Sequence, residues 1–111
     1  MNLDGVTMYV SRTDAIGVVG GDTRLHFRQK GERVWARYSG GEVSRGWLVG
    51  RWMGGQLRFR YAQVESGRVH AGSSTCDLEW STTGAFRLVE HFTWRTRVGS
   101  GVNVFEPVRM S

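Results

Sequence analysis

Phe86-Arg87-Leu88-Val89-Glu90-His91-Phe92-Thr93-Trp94 alternates large apolar side chains with other residues along its whole length. An extended chain points successive side chains to opposite faces, so this period of two is the signature of a strand with one buried face. The register that buries Phe86, Leu88, Phe92 and Trp94 carries Glu90 inward with them. An isolated carboxylate is costly in an apolar interior. Glu90 is therefore expected to be partnered, protonated or facing a wet cavity.

Outward from this run the same alternation recurs. Strands are expected over Val6 to Val10, Thr23 to Gln29, Arg33 to Tyr38, Val43 to Trp52, Gln56 to Glu65, Arg68 to about Trp80, and Val102 to Val108. Lys30-Gly31-Glu32, Gly40-Gly41, Gly54-Gly55, Ser66-Gly67, Thr83-Gly84 and Gly99-Ser100-Gly101 punctuate them as turns. Asp14 to Asp22 reads as a further short strand or a lid-like loop. No stretch carries the helical period. Sequential hairpins at this spacing predict a single domain over residues 1–111: an all-β, up-and-down antiparallel barrel of about eight strands. Its architecture is similar to that of the lipocalin and avidin superfamilies.

The phases give an inward set of Leu25, Phe27, Val34, Ala36, Tyr38 and Leu48, continued by Leu57, Phe59, Tyr61 and the Glu90 strand. About eight strands enclose room for side chains or for one small ligand. Gly46 and Gly50 share the phase of Leu48, so that wall carries little bulk. Either aromatics pack into the glycine gaps or a ligand fills them. A ligand site here would draw on Phe27, Tyr38, Gly46, Leu48, Gly50, Phe59, Tyr61, Glu90, Phe92 and Trp94. The leading expectation is binding of a small, partly apolar molecule inside the barrel. The alternative is a cofactor-free acid/base enzyme, an isomerase, lyase or cyclase, with Glu90 exchanging a proton and Tyr38 and Tyr61 donating to a carbonyl or oxyanion.

Other chemistries find little support. Cys76 is the only cysteine, so it has no intrachain disulfide partner, and no Cys/His spacing suggests zinc; no metal and no cofactor are expected. Asp77 and Glu79 beside Cys76 disfavour its thiolate. His26 and His91 alternate with inward apolar residues and should face out. No G-x-S-x-G is present for a nucleophile elbow. Met1 to Gly5 lacks the basic and apolar regions of a signal peptide, and no apolar run reaches membrane-spanning length, so a cytoplasmic location and no membrane contact are expected. The formal net charge is +5, from 15 basic residues of which only Lys30 is lysine, against 10 acids. The arginines are spread over alternate strand positions instead of forming a tract, which argues against nucleic acid as the partner and leaves it a third expectation, on the outer sheet. Trp35 and Trp47 fall on the outward phase, with Val43 and Val49 in phase with Trp47 and Arg45 and Arg51 between them. That patch suggests a homodimer.

Several of these positions occur together in order: Gly21-Asp22-Thr23, Val34-Trp35-Ala36-Arg37-Tyr38-Ser39-Gly40-Gly41, Gly46-Trp47-Leu48-Val49-Gly50, Phe59-Arg60-Tyr61 and Glu90-x-Phe92-x-Trp94. In this the chain resembles a family of short bacterial β-barrel proteins labelled N-acetylglutamate synthase-like, over about Gly17 to Glu106. The resemblance implies functional roles for Glu90, Tyr38, Tyr61, Gly46 and Gly50. Phe92 stands where the family pattern has a first tryptophan, and Glu106-Pro107 where it has an acidic pair. The label's acetyl transfer would need a strand opening into a helix whose free amides hold a pyrophosphate, and the sequence offers no such helix.

Overall fold

Eight strands follow one another as antiparallel neighbours: β1 (Thr7–Thr13), β2 (Arg24–Lys30), β3 (Arg33–Gly40), β4 (Val43–Met53), β5 (Gln56–Glu65), β6 (Arg68–Trp80), β7 (Phe86–Trp94) and β8 (Ser100–Pro107). β8 returns to pair with β1, which closes the sheet into an up-and-down barrel. The structure is a computed structural model that describes residues 1–14 and 18–108. The expectation for Asp14 to Asp22 falls partly on residues 15–17, outside the described residues.

The barrel has two unlike ends. At one, the segment before β1 folds across the opening. Leu3 is fully buried, its backbone N–H donates to Gln29 Oε1 (2.9 Å), and the Trp52 indole N–H donates to the same oxygen (3.2 Å). The Gly5 N–H donates to the Phe27 carbonyl and the Phe27 N–H to the Val6 carbonyl, so this segment is laced to β2. Leu3, Met8, Phe27, Val34, Leu57 and Leu88 are at most 1 % exposed and fill this end as a dry plug. The opposite end, ringed by the β1–β2, β3–β4, β5–β6 and β7–β8 connections, is where the polar interior lies.

Closure at this diameter depends on pairing large inward residues with small ones. Tyr38 faces Gly46 across the β3–β4 ladder, and Tyr61 faces Gly72 across β5–β6. A Cβ built on Gly46 would overlap the Tyr38 ring, and one on Gly72 would overlap the Tyr61 phenol and the Thr93 carbonyl. At Gly50 the Arg58 carbonyl and Phe59 approach just as closely. The glycine gaps are therefore occupied by aromatics and backbone, the first of the two arrangements the sequence left open. Gly46→Ala is expected to lower unfolding stability by about 1–3 kcal/mol, as overpacking does in a filled core. Urea titration of both proteins measures this, and an unchanged midpoint would mean that the ring moves aside freely.

Three expectations are corrected. β1 runs to Thr13 instead of stopping at Val10, because a bulge between Val10 and Arg12 lets the ladder with β8 continue to Thr13↔Asn103. β8 covers Ser100–Pro107, beginning earlier than its apolar residues suggest. Val43 is buried, not on the outer face: a register shift between Tyr38 and Gly40 moves the start of β4 out of phase with Trp47.

Candidate functional site

Glu90 sits at the middle of β7, 5 % exposed, opposite Cys76 on β6 and Asn103 on β8. Both its oxygens are engaged. Ser74 Oγ donates to Oε2 (2.6 Å) and Asn103 Nδ2 donates to Oε1 (2.8 Å). Burial pushes the Glu90 carboxyl above the usual carboxylate range, and the Ser74 and Asn103 hydrogen bonds oppose that shift. Burial, with Glu90 and then Asp77 nearby, likewise raises the Cys76 thiol, so this sulfur stays protonated and is no nucleophile.

Next to this carboxylate the inward aromatics of β5 and β7 interlock. The Tyr61 and Trp94 rings meet edge to face at 5.3 Å, and Phe92 meets Trp94 at 5.9 Å. A polar chain continues toward the mouth. Tyr38 Oη donates to Gln63 Oε1 (2.7 Å), Gln63 Nε2 donates to Glu65 Oε2 (2.8 Å), and Arg97 pairs with Glu65 while its guanidinium lies 3.9 Å from the Trp94 ring centre. Burial raises the phenols of both Tyr38 and Tyr61, more strongly than the Glu90 charge does, so both are neutral donors.

A cavity of about 30 Å³ lies among Tyr61, Glu90, Phe92, Trp94 and Asn103, and Val18 and Val19 of the β1–β2 connection also line it. That is enough for two or three waters or one small flat group. Three polar atoms of its lining side chains are buried without a partner among the described residues: Tyr61 Oη, Trp94 Nε1 and Asn103 Oδ1. The first two are donors and the third an acceptor.

Of the residues expected from sequence, Tyr38, Leu48, Phe59, Tyr61, Glu90, Phe92 and Trp94 line this cavity. Phe27, Gly46 and Gly50 do not. Phe27 belongs to the plugged end, Gly46 lies beneath the Tyr38 ring, and Gly50 is closed off by Phe59 and the Arg58 carbonyl. Tyr38 lines the cavity but its proton is committed to Gln63, so Tyr61 is the phenol left free to donate. Ser74, Gln63 and Asn103 were not expected. Asn103 was foreseeable only once the β7–β8 register is known, because it is the cross-strand partner of Glu90. Ser74 lies on a strand whose inward residues, Gly72, Ser74 and Cys76, are small because β5 sets Tyr61, Phe59 and Leu57 against them, so no apolar alternation announces that face. His26 and His91 face outward as expected, and among the described residues no cluster of three His, Cys, Asp or Glu could hold a metal ion.

Compared with protein-family models, residues 1–108 match the family described as Avidin-like protein. No curated protein and no solved structure matches.

Proposed function

The chain belongs to the avidin-like protein family, and from that premise and the unpartnered polar atoms of the cavity we propose that the barrel binds a small, partly apolar, uncharged molecule in its interior. The observation that carries this reading is the set of Tyr61 Oη, Trp94 Nε1 and Asn103 Oδ1, two donors and an acceptor buried without partners among the described residues in one aromatic-walled space. A buried polar group left unpaired costs about 1–3 kcal/mol, so a molecule offering an acceptor and a donor recovers that cost on entering. Charge is disfavoured on either side. Among the described residues no cation lines the cavity to receive an anion, and both Glu90 oxygens that would receive a cation already accept hydrogen bonds.

The acid/base reading uses the same cavity and rests on the raised Glu90 carboxyl. Engagement of both Glu90 oxygens by Ser74 and Asn103, and of the Tyr38 proton by Gln63, favours recognition over proton transfer. The N-acetylglutamate synthase-like label gains no chemistry either, since the eight strands of the described residues offer no helix start for a pyrophosphate.

Tyr61→Phe tests the proposal. Its hydroxyl makes no hydrogen bond among the described residues, so the variant should melt no lower than the parent. Neutral heterocyclic fragments that bind the parent, found by thermal shift and by change in tryptophan emission, should bind the variant roughly 5- to 10-fold more weakly, the loss of about one hydrogen bond. Fragments that bind both proteins equally would place recognition elsewhere.

A further inference from the structure

Arginines that are dispersed along the sequence become contiguous once the strands pair. Lys30, Arg33, Arg51 and Arg58 are successive cross-strand partners on β2, β3, β4 and β5, so four cations form one row directly across the outer wall. All four are exposed. At about 4.8 Å between strands the row spans roughly 14 Å. The neighbouring row continues Trp35–Val49–Arg60 and the next Arg37–Trp47, again by direct pairing. None of the four ion pairs among the described residues uses any of these cations; the acids of those pairs are Asp4, Glu79, Asp77 and Glu65. A concavity that runs from β3 across β7 is lined by five arginines, Arg33, Arg51, Arg58 and Arg60 of this wall and Arg95 just after β7, and by no Asp or Glu among the described residues.

Like charges directly opposite on a sheet destabilise it. Here Arg33 and Arg51, and then Arg51 and Arg58, are set opposite each other with no acid between, a cost that folding does not require. A second copy of this chain does not relieve it, because a two-fold contact over Trp35 and Trp47 would bring a second set of the same cations to the interface. A partner that does relieve it carries regularly spaced negative charge. On the same face Trp35 and Trp47 remain 39 % and 44 % exposed, Trp35 in the row beside the cations and Trp47 directly opposite Arg37. Phosphates on arginines together with unpaired bases on aromatics is the chemistry of single-strand recognition.

We infer that the outer wall of β2–β5 is a binding surface for single-stranded nucleic acid, with Lys30, Arg33, Arg51 and Arg58 on the phosphates and Trp35 and Trp47 beneath the bases. It is independent of the cavity inside the barrel.

Anisotropy of a labelled oligothymidylate of about 12 nucleotides tests this on the full chain. Contact with four phosphates predicts a Kd that rises about 50-fold between about 50 and 200 mM salt. The doubly substituted Arg51→Gln, Arg58→Gln protein should lower the slope of log K against log salt by about 1.4. It should also melt no lower than the parent, because the substitution removes opposed cations. Trp35→Ala should weaken binding about 10-fold with the slope unchanged. The inference is overturned by no binding at the lower salt, by an unchanged slope in the double variant, or by equal binding of a duplex of the same length. It is also overturned if vesicles of anionic lipid are bound in preference to the oligonucleotide, or if a dimer through this wall excludes it.

Discussion

Phe27→Ala is expected to cost about 3–5 kcal/mol of stability while leaving ligand affinity of the folded fraction unchanged. The ring is 1 % exposed in the plugged end, packed in one cluster with Leu3, Met8 and Val34. Removing it loses the transfer free energy of a full aromatic and leaves a void that the closed sheet cannot collapse to fill. Its own N–H and C=O hold Gly5 and Val6, so loosening this position also loosens the segment that seals the barrel. Paired urea titration and fragment binding separate the effects. A variant of normal stability with weakened binding would return Phe27 to the ligand site and place the cavity at the wrong end.

Glu90→Gln is expected to remain folded and to gain stability over the parent as pH rises. Burial lifts the folded-state carboxyl above 4.5, so between that value and its raised folded value the native protein holds a proton the unfolded chain has lost. The parent therefore keeps the full contribution of this site below about pH 4.5 and loses it as pH climbs through the raised value, at about 1.4 kcal/mol for each unit of displacement. Glutamine carries no proton to lose. Its carbonyl can accept from Ser74, and its amide can donate to Asn103 Oδ1, which has no protein partner, once the Asn103 amide turns over. The measurement is the difference in unfolding free energy between the two proteins across pH 4 to 8. A difference independent of pH would show that Glu90 is ionised as readily inside the barrel as in the unfolded chain.

Most of the strand framework was legible because the alternation is strong and the turns are rich in glycine. β5, β6 and β7 begin and end where apolar periodicity and the Gly-containing turns put them. The inward phase holds for every residue named from it; Phe86, at the end of β7 beside Trp80, is only half-buried but still packs against the core. Periodicity is silent where the inward residue is small or polar, and that hid Ser74, Gln63 and Asn103, three of the side chains that give the interior its polarity. A bulge or register shift changes phase without leaving a mark in composition, which misplaced Val43 and the end of β1. The alignment of the arginines was hidden for a different reason. Spacing along one strand says nothing about position across strands, and Lys30, Arg33, Arg51 and Arg58, one on each of four strands, become neighbours only through the registers of the ladders.

The ladder between β1 and β8 joins residues almost the whole chain apart, whereas the other seven ladders join consecutive strands. Such a contact carries the largest loop-closure entropy, so hairpins such as β4–β5 and β5–β6 should form early and this seam last. β1 is also lightly held on its other side, where only Thr7, Met8 and Tyr9 pair with β2. Val10 of β1 and Asn103 and Phe105 of β8 all border the cavity. Backbone amides along this seam should thus exchange with solvent sooner than those of β5, and the fluctuations that part β1 from β8 would open the barrel from the side, next to Glu90.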